Sequence, residues 1–237
     1  MTDLLFHSEA YLKEFAATVI ELVDVGVVLD RTAFYIGGGG QPWDTGALAD
    51  GQREYPVTRV GRSGSKIVHH IEGQRPLAGV RVTGRIDWER RYRLMRTHTA
   101  LHILCGVVWR DYGAKVTGGD MRPGEARMDF ELDHMTAEFA QEVEAKVNAE
   151  VETGRKVIVS TLSREAAELV PDLVRTKINL LPSNIAEIRT VEIQGLDLQA
   201  DGGIHVANTR EVGGIRVLGH ESKGRINKRL RIGLVDQ

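Results

Sequence analysis

The sequence predicts an α+β fold in two parts: a small N-terminal β-barrel over residues 1–88, then an α+β domain over residues 89–237 with helices packed on an antiparallel sheet. Three observations carry this. The chain up to about residue 85 reads as short β-branched strands broken by glycine turns. Its character changes near Arg85–Arg93, where a helical pattern begins. Beyond that point helical and strand patterns mix, and the last stretch returns to strands joined by tight turns, as in a helix-on-sheet domain.

Residues 18–30 alternate and are rich in valine, residues 32–38 follow as a second strand region, and residues 53–73 read as a hairpin. Residues 96–113 predict a helix of about four turns that ends at Gly113. Leu101, Leu104 and Val108 form one apolar stripe on it while Ile103 and Val107 cover the opposite side, so the helix is expected to be buried. Gly118, Gly119, Pro123 and Gly124 mark a loop, and residues 126–132 a strand. Residues 136–154 read as an amphipathic helix stopped by Gly154. A strand at 156–163 and a short helix at 164–170 follow, and from Ile185 onward the pattern is of strands.

The composition narrows the class. Over 237 residues, 42% hydrophobic and 27% charged is an ordinary globular balance. No apolar run approaches the ~20 residues of a membrane span. The N-terminus carries acids and lacks a basic start followed by an apolar run, so a secretory signal is not expected. The single cysteine, Cys105, excludes an intrachain disulfide framework and fits a reducing, cytoplasmic setting. A net charge of −2 argues against nucleic-acid binding by bulk charge but leaves room for local basic patches. Two are visible: Arg85, Arg90, Arg91, Arg93 and Arg96, and then Lys223, Arg225, Lys228, Arg229 and Arg231. In the second, Arg229 and Arg231 alternate with Leu230 and Ile232, as on a strand with one basic face.

Two histidine segments carry the chemistry. His98 and His102 stand four apart on the expected helix, which puts their Cβ atoms about 5–6 Å apart on one face, close enough to share a metal ion. Core histidines at this spacing also arise by chance. Cys105 lies near the same stripe and is either a further ligand or a small core residue. In the second segment Asp201 and His205 are separated by Gly202, Gly203 and Ile204, and the glycines allow a sharp turn that aims both side chains at one centre. Three histidines with a carboxylate or a water make a plausible zinc shell.

These residues resemble a known family. His98-Thr99-Ala100-Leu101-His102 is similar to the HxxxH motif of the second additional domain of alanyl- and threonyl-tRNA synthetases. Asp201 to His205, with Val206, Asn208, Thr209, Glu211 and Gly213, resembles that family's CxxxH segment, with Asp201 in place of the usual cysteine. Gly37-Gly38-Gly39-Gly40-Gln41-Pro42, with Asp44 and Gly46, resembles its upstream GGGQPxDxG element. The three stand in the family's order and leave no segment for an aminoacylation domain, so the resemblance is to the free-standing AlaX proteins of medium length.

That resemblance implies a zinc-dependent hydrolase that removes chiefly serine, and secondarily glycine, from mischarged tRNA(Ala) in trans. It implies His98, His102 and His205 as ligands to Zn2+, with Asp201 either a fourth ligand or a residue that orients one. Thr117 matches the position that reads the serine hydroxyl, and Thr99 is a second choice. Either threonine could equally be bonded to backbone. Gly38, Gly39, Gly40 and Gln41 are expected to form a shaped loop whose amides hold the RNA, and Arg225, Arg229 and Arg231 to meet its phosphates, with the Arg85–Arg96 cluster a further contact region. Two other readings remain at this point: a metal-dependent hydrolase of small esters or amides, and a tRNA-binding module without catalysis.

Overall fold

The computed structural model describes residues 2–176 and 185–235. It divides into two compact units, Met1–Leu94 and Met95–Gln237, and the division falls inside a 25-residue helix, α1 (Trp88–Tyr112).

The first unit is all strand apart from a short 3-10 turn and the beginning of α1. β1 (Asp3–Leu4) pairs in parallel with β4 (Arg31–Thr32). The remaining strands are β2 (Glu14–Val23), β3 (Gly26–Leu29), β5 (Gly46–Ala49), β6 (Glu54–Val57), β7 (Arg59–Ser63), β8 (Lys66–His70) and β9 (Arg81–Ile86). They form one antiparallel sheet in the order β6-β5-β9-β2-β3-β8-β7. The long β2 serves both halves, its first residues pairing with β9 and its last with β3, across an irregularity between Val19 and Glu21. Alternate residues of β2, including Phe15, Ala17 and Val19, enter a core with Leu29, Phe34, Leu48, Val60 and Val82.

The expected barrel is not closed. The edge strands β6 and β7 do not pair, although Thr58 alone separates them in sequence. A one-residue link makes β7 run on from β6 instead of folding back beside it, and Pro56 in β6 has no N–H to offer a neighbour. The result is a curled sheet whose ends meet end to end.

Two buried polar groups organise this unit. Arg91, on the first turns of α1, is fully buried with Asp44. Its Nε donates to Asp44 Oδ2 at 2.8 Å and Nη2 bonds the same oxygen, while Nη1 and Nη2 donate to the carbonyls of Ala10 and Ala33. Asp44 Oδ2 also accepts from Tyr35 N at 2.6 Å. The second group is His69, whose Nε2 lies 2.8 Å from Thr32 Oγ1 with Phe34 edge-on beside it. Burial holds its imidazole down at about 4.

The second unit is α+β, as expected. α1 begins eight residues before the predicted start, because Asp87 caps it: Oδ1 accepts from Arg90 N at 3.2 Å. From Arg90 to Arg96 the arginine-rich stretch is therefore helix, while Arg85 lies on β9. β10 (Val116–Arg122), β11 (Glu125–Phe130), β15 (Gly214–Ser222) and β16 (Lys228–Val235) form an antiparallel sheet in the order β10-β11-β16-β15. α2 (Ala137–Thr153) packs on β15, held by Asn148, which accepts from Ile215 N and donates to its carbonyl. Thr136 caps its start and Gly154, left-handed at φ 71°, ends it. β12 (Val157–Ser163), β13 (Glu187–Ile193) and β14 (Asp197–Ala200) form a second antiparallel sheet, with α3 (Arg164–Glu168) following β12.

Arg91→Met leaves the Asp44 carboxylate buried without its cation, and thermal and urea unfolding should show a loss of about 3–5 kcal/mol. For His69 the folded value lies below the ordinary 6.5, so the unfolded chain takes up the proton first. Its contribution is intact above about pH 6.5 and is lost as pH falls towards 4, a change of about 3 kcal/mol. His69→Leu should flatten the difference in unfolding free energy between pH 7 and pH 4.5 by about that amount.

Candidate metal centre

The centre is assembled from α1 and the segment after β14. α1 is buried on every side from Ala100 to Val108, and its regular pitch sets His98 and His102 one turn apart on the face that meets that segment. β14 ends at Ala200, and the ladder is carried one residue further by Asp201 N donating to Arg189 O at 3.1 Å. The chain then turns. Asp201 Oδ2 accepts from Gly203 N at 2.7 Å, and neither Gly202 nor Gly203 takes a positive φ. The carboxylate of Asp201, rather than glycine freedom, therefore makes the turn. Ile204 and Val206 point into the core on either side of His205. Downstream, Asn208 and Glu211 form a capping box, Asn208 donates to Gly154 O, and Thr209 bonds the carbonyls of Glu150 and Val151. The motif residues after His205 thus bolt this segment to the end of α2.

One ligand atom from each of His98, His102, Asp201 and His205 lies within 4.8 Å of all the others. The rings of His98 and His205 stack at 4.3 Å, and His102 meets both edge-on at 5.1 and 4.6 Å. His205 Nε2 is 3.0 Å from Asp201 Oδ2, and His98 Nε2 is 3.8 Å from Oδ1. Thr99 Oγ1 lies 3.1 Å from His205 Nδ1 and accepts from Val206 N at 3.2 Å, so it fixes the ring and turns Nε2 towards the centre.

The electrostatics suit a cation. Burial pushes His98 well below the ordinary histidine value and His205 down to about 4, which keeps both rings neutral with a lone pair to offer. For His102 the burial effect is outweighed by the carboxylates of Asp197 and Asp201, and its value is raised. Burial opposes ionisation of Asp201, but the facing histidines more than reverse this. Three buried imidazoles and a partly buried carboxylate, converging on one point, fit a divalent metal ion of the zinc class. Cys105 is outside the group: its thiol is fully buried and burial pushes it up, so it is a protonated core residue.

Sequence reasoning missed Asp197 and Arg189. Asp197 Oδ2 is 3.4 Å from His102 Nδ1, and Arg189 Nη1 donates to Asp201 O at 2.9 Å and lies 3.9 Å from its Oδ2. The signal was present: Asp197, Gln199 and Asp201 are spaced by two, which puts all three on one face of a strand.

The other expected residues are not members of that group. Thr117 is exposed on β10 and donates to Asn227 Oδ1 at 2.9 Å. In the first unit Gly37 to Gly40 all have positive φ, and Gly38 and Gln41 exchange both backbone hydrogen bonds around Gly39 and Gly40. Only glycine takes such a run without strain, and Gly38 to Gly40 are exposed. Arg229 is clamped by both oxygens of Asp129 at 2.7 and 2.8 Å, and Arg231 pairs with Glu221 at 2.5 Å. Arg225 is exposed in the turn before β16. The Arg85–Arg96 cluster disperses: Arg85 pairs with Glu14 and Glu54, Arg90 donates to Trp43 O, Arg91 is buried and Arg96 donates to Val212 O. Successive residues on a helix point 100° apart, so a run of arginines makes no single face.

Comparison with known proteins accounts for this arrangement. Residues 188–231 match the model of the threonyl and alanyl tRNA synthetase second additional domain, and residues 6–90 match that of class II (A) tRNA synthetases. The chain is thus built from synthetase-type modules. It is 38% identical to the alanyl-tRNA editing protein AlaX-M of Methanosarcina barkeri, with 100% of both chains covered. It is 40% identical to the AlaX-M of Saccharolobus solfataricus, over 97% of this chain and 98% of that one. It is also 40% identical to an alanine–tRNA ligase of Ignicoccus hospitalis, over 92% of this chain but 24% of the ligase. The protein belongs to the AlaX-M family of alanyl-tRNA editing proteins.

Gly106 lets α1 lie against the β13–β14 hairpin: a Cβ there would stand 2.9 Å from Leu196 Cγ and 3.0 Å from Asp197 Cβ. Gly106→Ala improves helix propensity by about 1 kcal/mol yet must push the hairpin away from His102. We expect metal affinity, measured by chelator competition, to fall about tenfold while the melting temperature changes little.

Proposed function

We propose that this protein is a cytoplasmic, trans-acting hydrolase that deacylates mischarged tRNA(Ala), chiefly Ser-tRNA(Ala) and also Gly-tRNA(Ala), with Zn2+ held by His98, His102, Asp201 and His205. The converging four-residue cluster carries the reading, because a module that only binds RNA has no use for three buried imidazoles and a carboxylate aimed at one point. The names of the relatives supply the substrate class. The localisation rests on the unpaired, buried Cys105, and no described helix is long and apolar enough to cross a membrane.

The reaction adds water to the ester carbonyl and breaks the bond to the terminal ribose oxygen, releasing free amino acid and a tRNA with its hydroxyl restored. Bound zinc supplies Lewis-acid polarisation or a more acidic water. The chain supplies orientation: Thr99 fixes His205, and Asp201 is held by Gly203 N and flanked by Arg189. No glutamate stands between His98 and His102, so the helix carries no general base of the metalloprotease type.

Selectivity needs a site that leaves polar groups unpaired when alanine enters, because size alone separates such substrates by only ~1–3 kcal/mol. Thr117, exposed and bonded through its hydroxyl to the movable side chain of Asn227, suits the reading of a serine hydroxyl. Thr99, already committed to His205 and Val206, acts behind the metal ligands. The amides of Gly39 and Gly40, at the tip of the turn that Gly38 and Gln41 close, suit the RNA backbone. Arg225 and Arg231 suit its phosphates, and Arg229 shapes the same strand face while remaining tied to Asp129.

The test is deacylation of Ser-tRNA(Ala) beside Ala-tRNA(Ala). Wild type loaded with zinc should clear the serine ester selectively, and His98→Ala/His102→Ala should reduce the rate to that of buffer. Thr117→Ala should lower serine-over-alanine selectivity by about tenfold or more, while Thr117→Ser retains it. Absence of deacylation by zinc-replete wild type removes the serine-editing reading.

A further inference from the structure

We infer that Asp197 is a positioning residue of the metal centre, the carboxylate that fixes the tautomer and ring orientation of His102. The inference rests on the metal-centre reading above but not on the substrate assigned to it.

His102 Nδ1 is buried and has no hydrogen-bond partner of good geometry among the described residues; its nearest acceptor is Asp197 Oδ2 at 3.4 Å. The Asp197 side chain is itself completely buried. A buried carboxylate needs partners, and those it has aim it at the ring. Gln199 Nε2 donates to Oδ2 at 2.5 Å, and Arg175 Nε approaches Oδ1 at 3.5 Å. Arg175 is in turn seated over the ring of Trp109, 4.6 Å from its centroid, one helical stretch beyond His102 on α1. The backbone is fixed as well. Asp197 opens β14 opposite Ile193, and Leu196 N donates to Ile193 O at 2.8 Å in the tight turn before it. Gly106 lets α1 approach this turn to within a missing methyl group.

The chemical consequence is directional. A proton on His102 Nδ1 faces Asp197, and the lone pair of Nε2 is left for the metal. A carboxylate behind a ligating imidazole orients it and makes it a better donor, and loss of such a partner weakens metal binding ~10–100-fold. His205 is oriented by the hydroxyl of Thr99. His102 receives the stronger, charged partner. Gly106 and Asp197 thus belong to one arrangement, the first clearing the space that the second occupies.

Two readouts other than activity test this. In the first, zinc affinity of wild type and Asp197→Asn is measured by chelator competition, with melting of the metal-free proteins as control. The expected result is a dissociation constant ~10–100-fold higher in the variant. A merely structural carboxylate would lower the metal-free melting temperature and leave the affinity of the folded protein unchanged, and that result overturns the inference. In the second, long-range proton–nitrogen NMR spectra of histidine-labelled, zinc-loaded wild type report the tautomer of His102, identified by its loss in His102→Ala. A proton on Nδ1 with zinc on Nε2 is expected. Zinc on Nδ1 overturns the inference, and this readout decides even if Asp197→Asn fails to fold. Wild type that binds no zinc removes the metal centre and this inference with it. Zinc binding with the expected tautomer but no deacylation of Ser-tRNA(Ala) supports the inference and removes the proposed activity.

Discussion

The burial of α1 from Ala100 to Val108 is the constraint on which the metal centre depends. Burying a leucine, isoleucine or valine contributes about 1.5–3 kcal/mol, and this stretch buries Leu101, Ile103, Leu104, Val107 and Val108 on opposite faces. Such a helix can neither roll nor slide without exposing one of them. His98 and His102 are carried on it as fixtures, and their imidazoles are taken out of water whether or not they have partners. An isolated buried imidazole would be a cost. Four groups brought together from α1 and the turn after β14 convert that cost into a set of converging lone pairs, three of imidazole and one of carboxylate.

Much of this was legible in the sequence. The spacing of His98 and His102 specifies one helix face, and the apolar residues from Leu101 to Val108 specify burial. The mixed pattern after Arg93 specifies helices on an antiparallel sheet. What was not legible has physical causes. The short strands and glycines of the first unit look the same in a closed barrel and an open curled sheet, because closure depends on whether β6 and β7 lie side by side, and the lone Thr58 between them forbids it. The run from Arg85 to Arg96 looked like one basic surface because a sequence does not display the turn of a helix. Asp197 was passed over because no histidine or motif marks it, although its period-two relation to Asp201 already placed it on the same face.

The glycine-rich element of the first unit divides into two kinds of residue. Gly37 to Gly40 supply a backbone shape that other residues would adopt only under strain. Asp44, a few residues on, supplies an anchor: it holds Arg91 and the amide of Tyr35 at once. A motif that reads as a single signature is therefore half turn and half buried ion pair. The second half contributes stability to the unit instead of contacts to a ligand.

The pairing of the C-terminal arginines with acids reaches beyond the geometry of the strand. Asp129 and Glu221 act as tethered counterions for Arg229 and Arg231. A phosphate arriving at Arg231 would shed its own condensed cation but leave a carboxylate oxygen that attracts one in turn. The number of ions set free is then close to zero, and with it the entropic gain that ordinarily drives basic surfaces onto nucleic acids. On the proposed reading, a phosphate contact on this face would exchange one anion for another, and its strength would depend only weakly on salt.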